Sequence, residues 1–255
     1  MICLLKKKFL EFPLIRNYHI LKKKNFYQIL EKANNLRNIT NIIQIFNLKK
    51  INKKKFSHYS QIGQDIFVAS FFNLKKKGFF IEIGAGDGIY HSNTYFLEKY
   101  YNWRGILVEP CKFWKKNKKI RKKSIWVEKI IFNKTGLLIG FDHNQKKPFN
   151  SKINFNKTVN KVKTINMKDL LSYYKVPKDI DYMSIDIEGD EYKVLKQIDF
   201  NKYNIKVLTI EDNNNKTKIK KLLLSAGYAQ VHPKYTYFES WFFKKKYGNT
   251  IKRTF

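Results

Sequence analysis

A glycine-rich turn with acidic neighbours is the part of the sequence that points most directly to chemistry. It spans residues 82–88, reads Glu-Ile-Gly-Ala-Gly-Asp-Gly, and follows an apolar segment. Glycine lets a ligand approach the backbone closely, and the start of a following helix offers free N–H groups. A dinucleotide-binding fingerprint would need glycine at position 89, where this chain has Ile89. The sequence also lacks the glycine- and lysine-containing loop that cradles nucleotide phosphates, so we expect a different small molecule.

Two glutamates near this turn predict what that molecule carries. Glu82 directly precedes the glycines and suits a cationic group better than an anionic pyrophosphate. Glu109 follows Gly86 by 23 residues and ends the next predicted strand, where a carboxylate can bind both hydroxyls of a ribose. S-adenosylmethionine combines a positive charge with a ribose and is the predicted cofactor. A plain β-turn with charged neighbours is the alternative that these residues leave open.

Further carboxylates follow two later predicted strands and could act on a second substrate. Asp186 or Glu188 could remove the proton of an acceptor hydroxyl during methyl transfer, and both are predicted catalytic residues. The same residues could instead form a cap and turn that open the next helix. Asp186, Glu211, Asp212 and Asn213 also offer the hard oxygen ligands that Mg²⁺ prefers, so a magnesium site is a further hypothesis.

Alternating strands and helices must position these side chains. The predicted strands cover residues 78–83, 105–109, 124–131, 136–141, 181–185 and 206–210. The predicted helices cover a short segment at Gln64 and Asp65, then residues 92–101, a stretch from about 113, and residues 167–174, 190–197 and 215–226.

The end of the chain completes the predicted fold. Residues 227–244 are predicted to form an antiparallel hairpin, and the Asn- and Lys-rich residues 142–163 a mobile loop. The pattern as a whole predicts a doubly wound, mostly parallel α/β sheet. In such a sheet the strand ends at Gly84, Glu109, Asp186 and Glu211 meet at one cleft.

Residues 60–110 resemble the FkbM-type methyltransferase family. The stretches that carry the resemblance are residues 60–65 (SQIGQD), 78–88 (GFFIEIGAGDG), 92–94 (SNT) and 103–110 (WRGILVEP), supported by residues 185–191 (IDIEGDE) and 210–213 (IEDN). The resemblance implies a Rossmann-like class I methyltransferase fold over residues 58–255. It also implies S-adenosylmethionine as donor to an oxygen acceptor, often on a sugar or secondary metabolite.

The residues and the resemblance together give a predicted cofactor site. Its members flank the glycine turn and the end of the next strand: Glu82, Gly84, Ala85, Gly86, Asp87, Glu109 and Pro110. The resemblance also makes Gln64 and Asp65 candidates for cofactor or acceptor contact, although helix capping would explain Asp65 equally well. His91 follows the glycine turn and could reach either ligand, or be an exposed residue at a helix start.

The amino-acid composition limits which binding partners and which cellular location we expect. The 255 residues carry a net charge of +32, yet 43% are hydrophobic, which is enough for a packed core. Much of the charge is in scattered lysines, which A/T-rich codon usage would also produce. Residues 1–57 are predicted to be a basic helical extension that docks on the core, binds a partner or contacts a membrane peripherally. No apolar run reaches the roughly 18 residues of a membrane span and no signal peptide is evident, so we expect a cytoplasmic protein, either free or peripheral at the inner membrane surface.

The predicted function is O-methylation of a sugar, glycan, glycolipid or related small-molecule hydroxyl. A nucleic-acid methyltransferase is the enzymatic alternative, motivated by the positive charge. It is disfavoured because residues 186–189 read Asp-Ile-Glu-Gly rather than the Pro-Pro-aromatic motif of base-amino methylation. A non-enzymatic scaffold that binds an anionic glycan or membrane is the other alternative, and the intact glycine turn counts against it.

Overall fold

The chain is described here from a computed structural model. The structure describes residues 59–142, 152–154, 161–187, 189–212, 215–231, 236 and 238–248. The predicted extension at residues 1–57 and the candidate base Glu188 lie outside the described residues.

A seven-stranded sheet forms the centre of the fold. Its strands, in chain order, are β1 (Phe79–Ile83), β2 (Arg104–Val108), β3 (Ser124–Val127), β8 (Asp179–Ile185), β9 (Asn204–Glu211), β10 (Tyr228–Gln230) and β11 (Glu239–Lys244). They lie side by side in the order β10-β11-β9-β8-β1-β2-β3. All neighbours pair in parallel except β11, which runs antiparallel to both β9 and β10. The predicted parallel sheet with an antiparallel finish is confirmed.

Helices cover both faces of this sheet. They are α1 (Gln64–Phe71), α2 (Tyr95–Tyr101), α3 (Met167–Tyr173), α4 (Glu191–Leu195) and α5 (Lys216–Ser225). Buried side chains of α1 and α2 form one apolar cluster with one face of the sheet. Those of α3, α4 and α5 form a second cluster with the other face, so the sheet is doubly wound as predicted. The helix predicted from about residue 113 is instead a 3-10 helix, Lys112–Asn117.

The sequence prediction missed a second, smaller sheet. Its strands are β4 (Ile130–Ile131), β5 (Leu138–Asp142), β6 (Lys152–Ile153) and β7 (Lys161–Ile165), arranged in the order β4-β7-β5-β6. The single strand predicted over residues 124–131 is therefore wrong. It divides at Glu128 and Lys129, a polar pair that separates the last strand of the main sheet from β4.

The loop predicted over residues 142–163 is wrong in the parts that the structure describes. Residues 152–153 pair with β5, and β7 begins at Lys161. Lysine composition suggested a loop, but Lys161 and Lys163 are exposed while Thr164 and Ile165 are buried. Strand side chains alternate between faces, so solvent-facing lysines are compatible with a paired strand.

Strand alternation also decides which way the first strand's residues point. Phe80 packs in the cluster that contains α1 and α2, whereas Ile81 and Ile83 pack in the opposite cluster. Glu82 therefore shares the face of Phe80. Among the described residues, no helix is both long and apolar enough to cross a membrane.

Candidate cofactor and acceptor site

A cavity of about 390 Å³ opens at the carboxyl ends of the parallel strands. This volume falls within the roughly 300–1,000 Å³ typical of small-molecule sites. Gly84, Glu109, Asp186 and Glu211, which end or follow β1, β2, β8 and β9, all line it. The structure thus brings together the four strand ends that the sequence placed at one cleft.

The glycine turn is held tightly against the neighbouring strands. Gly84 has a φ of +85°, and its N–H donates to the Val108 carbonyl at 3.0 Å. A Cβ at this position would lie 1.7 Å from the backbone oxygen of Asp186, so only glycine fits. Gly86 also has a positive φ, +53°, and lines the cavity with Ala85. The turn keeps backbone rather than side chains at the cavity surface.

Glu109 presents a buried carboxylate to the cavity. One oxygen accepts the Gly86 N–H at 2.9 Å and the other accepts the Cys111 N–H at 2.8 Å. These two bonds, together with a hydrogen bond from the Cys111 side chain, fix the carboxylate beside the turn. Burial raises the pKa of Glu109 to about 7, although both backbone hydrogen bonds lower it. Pro110, the next residue, lines the cavity as well.

Glu82 lies on the other side of the turn and does not line the cavity. Its carboxylate accepts the Asn93 N–H at 2.6 Å and the hydroxyls of Ser92 and Thr94 at 3.0 and 2.5 Å. Burial raises its pKa, and the nearby Arg121 charge opposes that shift. The carboxylate faces the interior because it shares the Phe80 face of β1, so the structure places it away from the residues that line the cavity.

Asp87 is used within the turn. Its Oδ1 accepts the backbone N–H groups of Ile89 and Tyr90, both at 2.8 Å, and it is not part of the cavity lining. Tyr90 and His91 do line the cavity, with their rings stacked at 3.9 Å between centroids. His91 has a φ of +56°, a strained conformation for a residue with a side chain.

Gln64 and Asp65 lie at the buried start of α1, outside the cavity lining. Asp65 accepts the Tyr59 N–H at 2.9 Å and the Ser60 hydroxyl at 2.5 Å. The Gln64 amide donates to Glu239 on β11. These hydrogen bonds hold the start of α1 and the segment before it in place. Gln61, which belongs to this segment, lines the cavity.

Acidic side chains gather at the ends of β8 and β9. Asp186, Asp190 and Glu211 line the cavity. Asp212 points elsewhere: its carboxylate accepts the Ser240 hydroxyl and lies 3.8 Å from the Lys216 ammonium. Consecutive residues leave a strand on opposite sides, which separates Asp212 from Glu211. Within the described ranges, no group of three or more His, Cys, Asp or Glu side chains could hold a metal ion, so the magnesium hypothesis gains no support.

Two features of the site were not predicted. An apolar wall formed by Ile130, Phe141 and Ile153 comes from the small sheet, which the sequence pattern did not reveal. Arg121 is completely buried and supports the turn from behind. Its guanidinium donates to the Gly88 carbonyl, to Glu98 at 2.8 Å and to Thr94 at 2.8 Å. A lone arginine in a lysine-rich segment was the available signal for this role.

The strand order and the cleft define a Rossmann-like class I methyltransferase fold. The family model of the methyltransferase FkbM domain matches residues 82–247, about two-thirds of the chain, and the chain belongs to this family. The resemblance seen in the sequence is confirmed. The family implies S-adenosylmethionine as the methyl donor, and the glycine turn and the Glu109 carboxylate fit its ribose and the groups next to it.

Solved structures give more distant matches. The chain is 14% identical to the precorrin-6y C5,15-methyltransferase from Geobacter metallireducens GS-15, over 75% of this chain and 94% of that one, with a TM-score of 0.43. It is 13% identical to the human methyltransferase 10 domain containing protein, over 84% of this chain and 96% of that one, with a TM-score of 0.38. A comparison with curated proteins gave no match.

Proposed function

We propose that this S-adenosylmethionine-dependent methyltransferase methylates a hydroxyl oxygen of a sugar, a glycan or a related metabolite. The observation that carries the cofactor part of the proposal is the Glu109 carboxylate, which is fixed by two backbone N–H groups at the mouth of the glycine turn and lines the cavity. The acceptor part rests on Asp186, a carboxylate that lines the same cavity and could act as a base. A carboxylate held in this way is prepared to accept hydrogen bonds from both ribose hydroxyls, and charge-assisted bonds of this kind are strong.

The spacing of the strands separates the donor end of the cavity from the acceptor end. Glu109 follows β2 and Asp186 follows β8, with β1 between them. Two strand spacings of about 4.8 Å place these ends roughly 10 Å apart. A ribose bound at Glu109 therefore leaves room for its substituents to extend along the glycine turn toward Asp186. The acceptor would enter beyond that point, at the ends of β8 and β9.

Asp186 is the proposed base. When bound, S-adenosylmethionine supplies an electrophilic methyl group on a positively charged sulfur. Asp186 would accept the proton of the acceptor hydroxyl while the oxygen gains the methyl group. Its backbone N–H donates to the Ile83 carbonyl at 2.9 Å, and its backbone oxygen packs on Gly84, so its position is tied to the turn. Glu188 stays a proposed participant two residues further on.

A transfer assay tests this function. The purified full chain would be given S-adenosylmethionine with a labelled methyl group and a panel of methyl glycosides, and label in the glycoside would be measured. We expect transfer by the wild-type chain and a loss of about a hundredfold or more in kcat for Asp186→Asn, because proton transfer contributes roughly 10²–10⁴ to such rates.

Asp199→Asn is the matched control, since Asp199 is an exposed aspartate that only caps backbone N–H groups of its own turn. It should keep the wild-type rate. An Asp186→Asn variant that folds, binds S-adenosylhomocysteine and transfers methyl groups at the wild-type rate would remove Asp186 from the proposed mechanism.

A further inference from the structure

The acceptor end of the cavity is acidic, although the chain as a whole carries a net charge of +32. We call this end the acidic wall and define it as Asp186, Asp190 and Glu211, which line the cavity at the ends of β8 and β9. Asp190 is paired with Lys193 at 2.6 Å. That lysine is 72% exposed, so solvent weakens the pair and it neutralises the wall little.

Two more carboxyl groups respond to the charge of Glu211. Burial raises the pKa of Glu191, and the negative charge of Glu211 adds to the increase. Burial also raises the pKa of Glu239 to about 7, again with a contribution from Glu211. Both neighbours are acidic residues, so neither places a positive charge beside Glu211.

One oxygen of Glu211 lacks a hydrogen-bond donor. Oε2 is buried and has no partner within the described residues. A buried carboxylate oxygen without a donor is costly, and native proteins satisfy nearly all such atoms. Because Glu211 also lines the cavity, a bound molecule that carries a hydrogen-bond donor is a direct way to satisfy it.

Among the described residues, one lysine, Lys129, lines the cavity, and it lies at the end away from the acidic wall. Lys129 follows β3, and its ammonium lies 5.8 Å from the centre of the Tyr173 ring. Four strand spacings separate the end of β3 from the end of β9, which is about 19 Å. β3 neighbours β2 and not β9, so Lys129 lies nearer to the Glu109 end of the cavity than to the acidic wall.

We propose that the acidic wall selects the charge of what binds at the acceptor end, admitting cationic and neutral hydrogen-bond donors and excluding anions. The methyl acceptor is then a neutral or amino-substituted polyol, and not a phosphorylated or carboxylated one. The proposal rests on the proposed function, because it describes the acceptor end of that same cavity. The acidic wall also supplies negative charge near the sulfonium. Glu82 does not provide this charge because it faces the interior.

The first test needs no knowledge of the acceptor. S-adenosylmethionine and S-adenosylhomocysteine differ by one methyl group and one positive charge, so the ratio of their dissociation constants reports the field at the transferable methyl. Calorimetry on the full chain should show the charged cofactor binding more tightly by about three- to tenfold, the effect of one nearby carboxylate in a partly screened site. Glu211→Gln should reduce this ratio to near one.

Glu128→Gln is the matched control, because it removes the same charge from a partly exposed glutamate paired with Lys112 outside the cavity. Its ratio should equal that of the wild type. Equal ratios for wild type and Glu211→Gln would overturn the proposal. If neither cofactor binds to folded protein, the proposed function itself fails, so the two failures are distinguishable.

A second test addresses the acceptor directly. The transfer assay would compare methyl glucoside, methyl glucosaminide and methyl glucuronide, which share a ring and differ in charge. We expect the neutral and cationic sugars to be methylated at least about tenfold faster than the anionic one, with a smaller preference in Glu211→Gln. Faster transfer to the glucuronide would overturn the proposal. Transfer to none of them would count against a sugar acceptor, while the cofactor ratio would still decide the role of the wall.

Discussion

Two glutamates flank the same glycine turn, and the structure uses them in different ways. Glu82 is enclosed by the donors of residues 92–94 and lies near Arg121, so its hydrogen bonds are satisfied from within the protein. Glu109 accepts two backbone N–H groups and opens onto the cavity. The difference shows that a carboxylate beside a glycine turn can either support the turn or face the cavity that the turn lines. The hydrogen-bond partners around the carboxylate decide between these two roles.

The strand that carries each residue explains the difference. Glu82 is the fourth residue of β1, so its direction is set by alternation, and it joins the Phe80 face. Glu109 is the first residue after β2, where the chain has left the sheet at its carboxyl edge. The sheet alternation no longer fixes the direction of Glu109, which can turn toward the cleft, whereas it holds Glu82 on the Phe80 face. Substitutions on either side of the turn should therefore affect different properties.

The largest expected effect comes from the turn itself. Gly84→Ala would place a Cβ 1.7 Å from the Asp186 oxygen at a φ of +85°, which forces β1 and β8 apart. We expect a loss of about 4 kcal/mol in the free energy of unfolding and no detectable cofactor binding. Urea denaturation and calorimetry would measure both.

Gly136→Ala separates the steric clash from the backbone strain. Gly136 has a similar φ of +87°, but a Cβ there meets nothing within 4 Å. This variant should lose only about 1 kcal/mol and bind cofactor normally. Equal losses for the two variants would show that the contact with Asp186 is not what requires glycine.

Substitution of the buried residues that support the glycine turn should lower the stability of the fold. Arg121→Met removes a fully buried cation that pairs with Glu98 at 2.8 Å and lies near Glu82. Because breaking a buried ion pair leaves an uncompensated charge, we expect a loss of about 3 kcal/mol in urea denaturation. Arg104→Met is the control, since Arg104 is exposed at the start of β2. A loss no larger than that of the control would contradict the supporting role.

On the cavity side of the turn, cofactor affinity should depend on pH through Glu109. In the proposed site, the ionised form of Glu109 would bind the ribose, and burial raises the pKa of this carboxyl to about 7. Affinity for S-adenosylhomocysteine should therefore be full well above pH 7 and decrease as pH falls, by about tenfold between pH 8 and pH 6. Calorimetry at several pH values measures this. Glu109→Ala should give a weak and nearly flat profile, and an unchanged slope in that variant would assign the titration to another group.

The sequence predicted the features that depend on local pattern. Apolar runs and glycines located β1 and its turn, and the position of Glu109 after β2 was sufficient to place it at the cleft. The direction of Glu82 depended on its partners at residues 92–94 and on Arg121, which are close only in the folded chain. The small sheet was missed because β4 and β6 are two residues long and lysines occur in β6 and β7.

The central claim is that Glu109 binds the ribose of the cofactor. The most direct test is a double-mutant cycle in which wild type and Glu109→Ala each bind S-adenosylhomocysteine and its 2′,3′-dideoxy analogue. We predict that the wild type loses at least about tenfold in affinity when the hydroxyls are removed, and that the variant loses less than about threefold, because the partner of those hydroxyls is already gone. The same loss in both proteins would contradict the claim, since the hydroxyls would then have another partner.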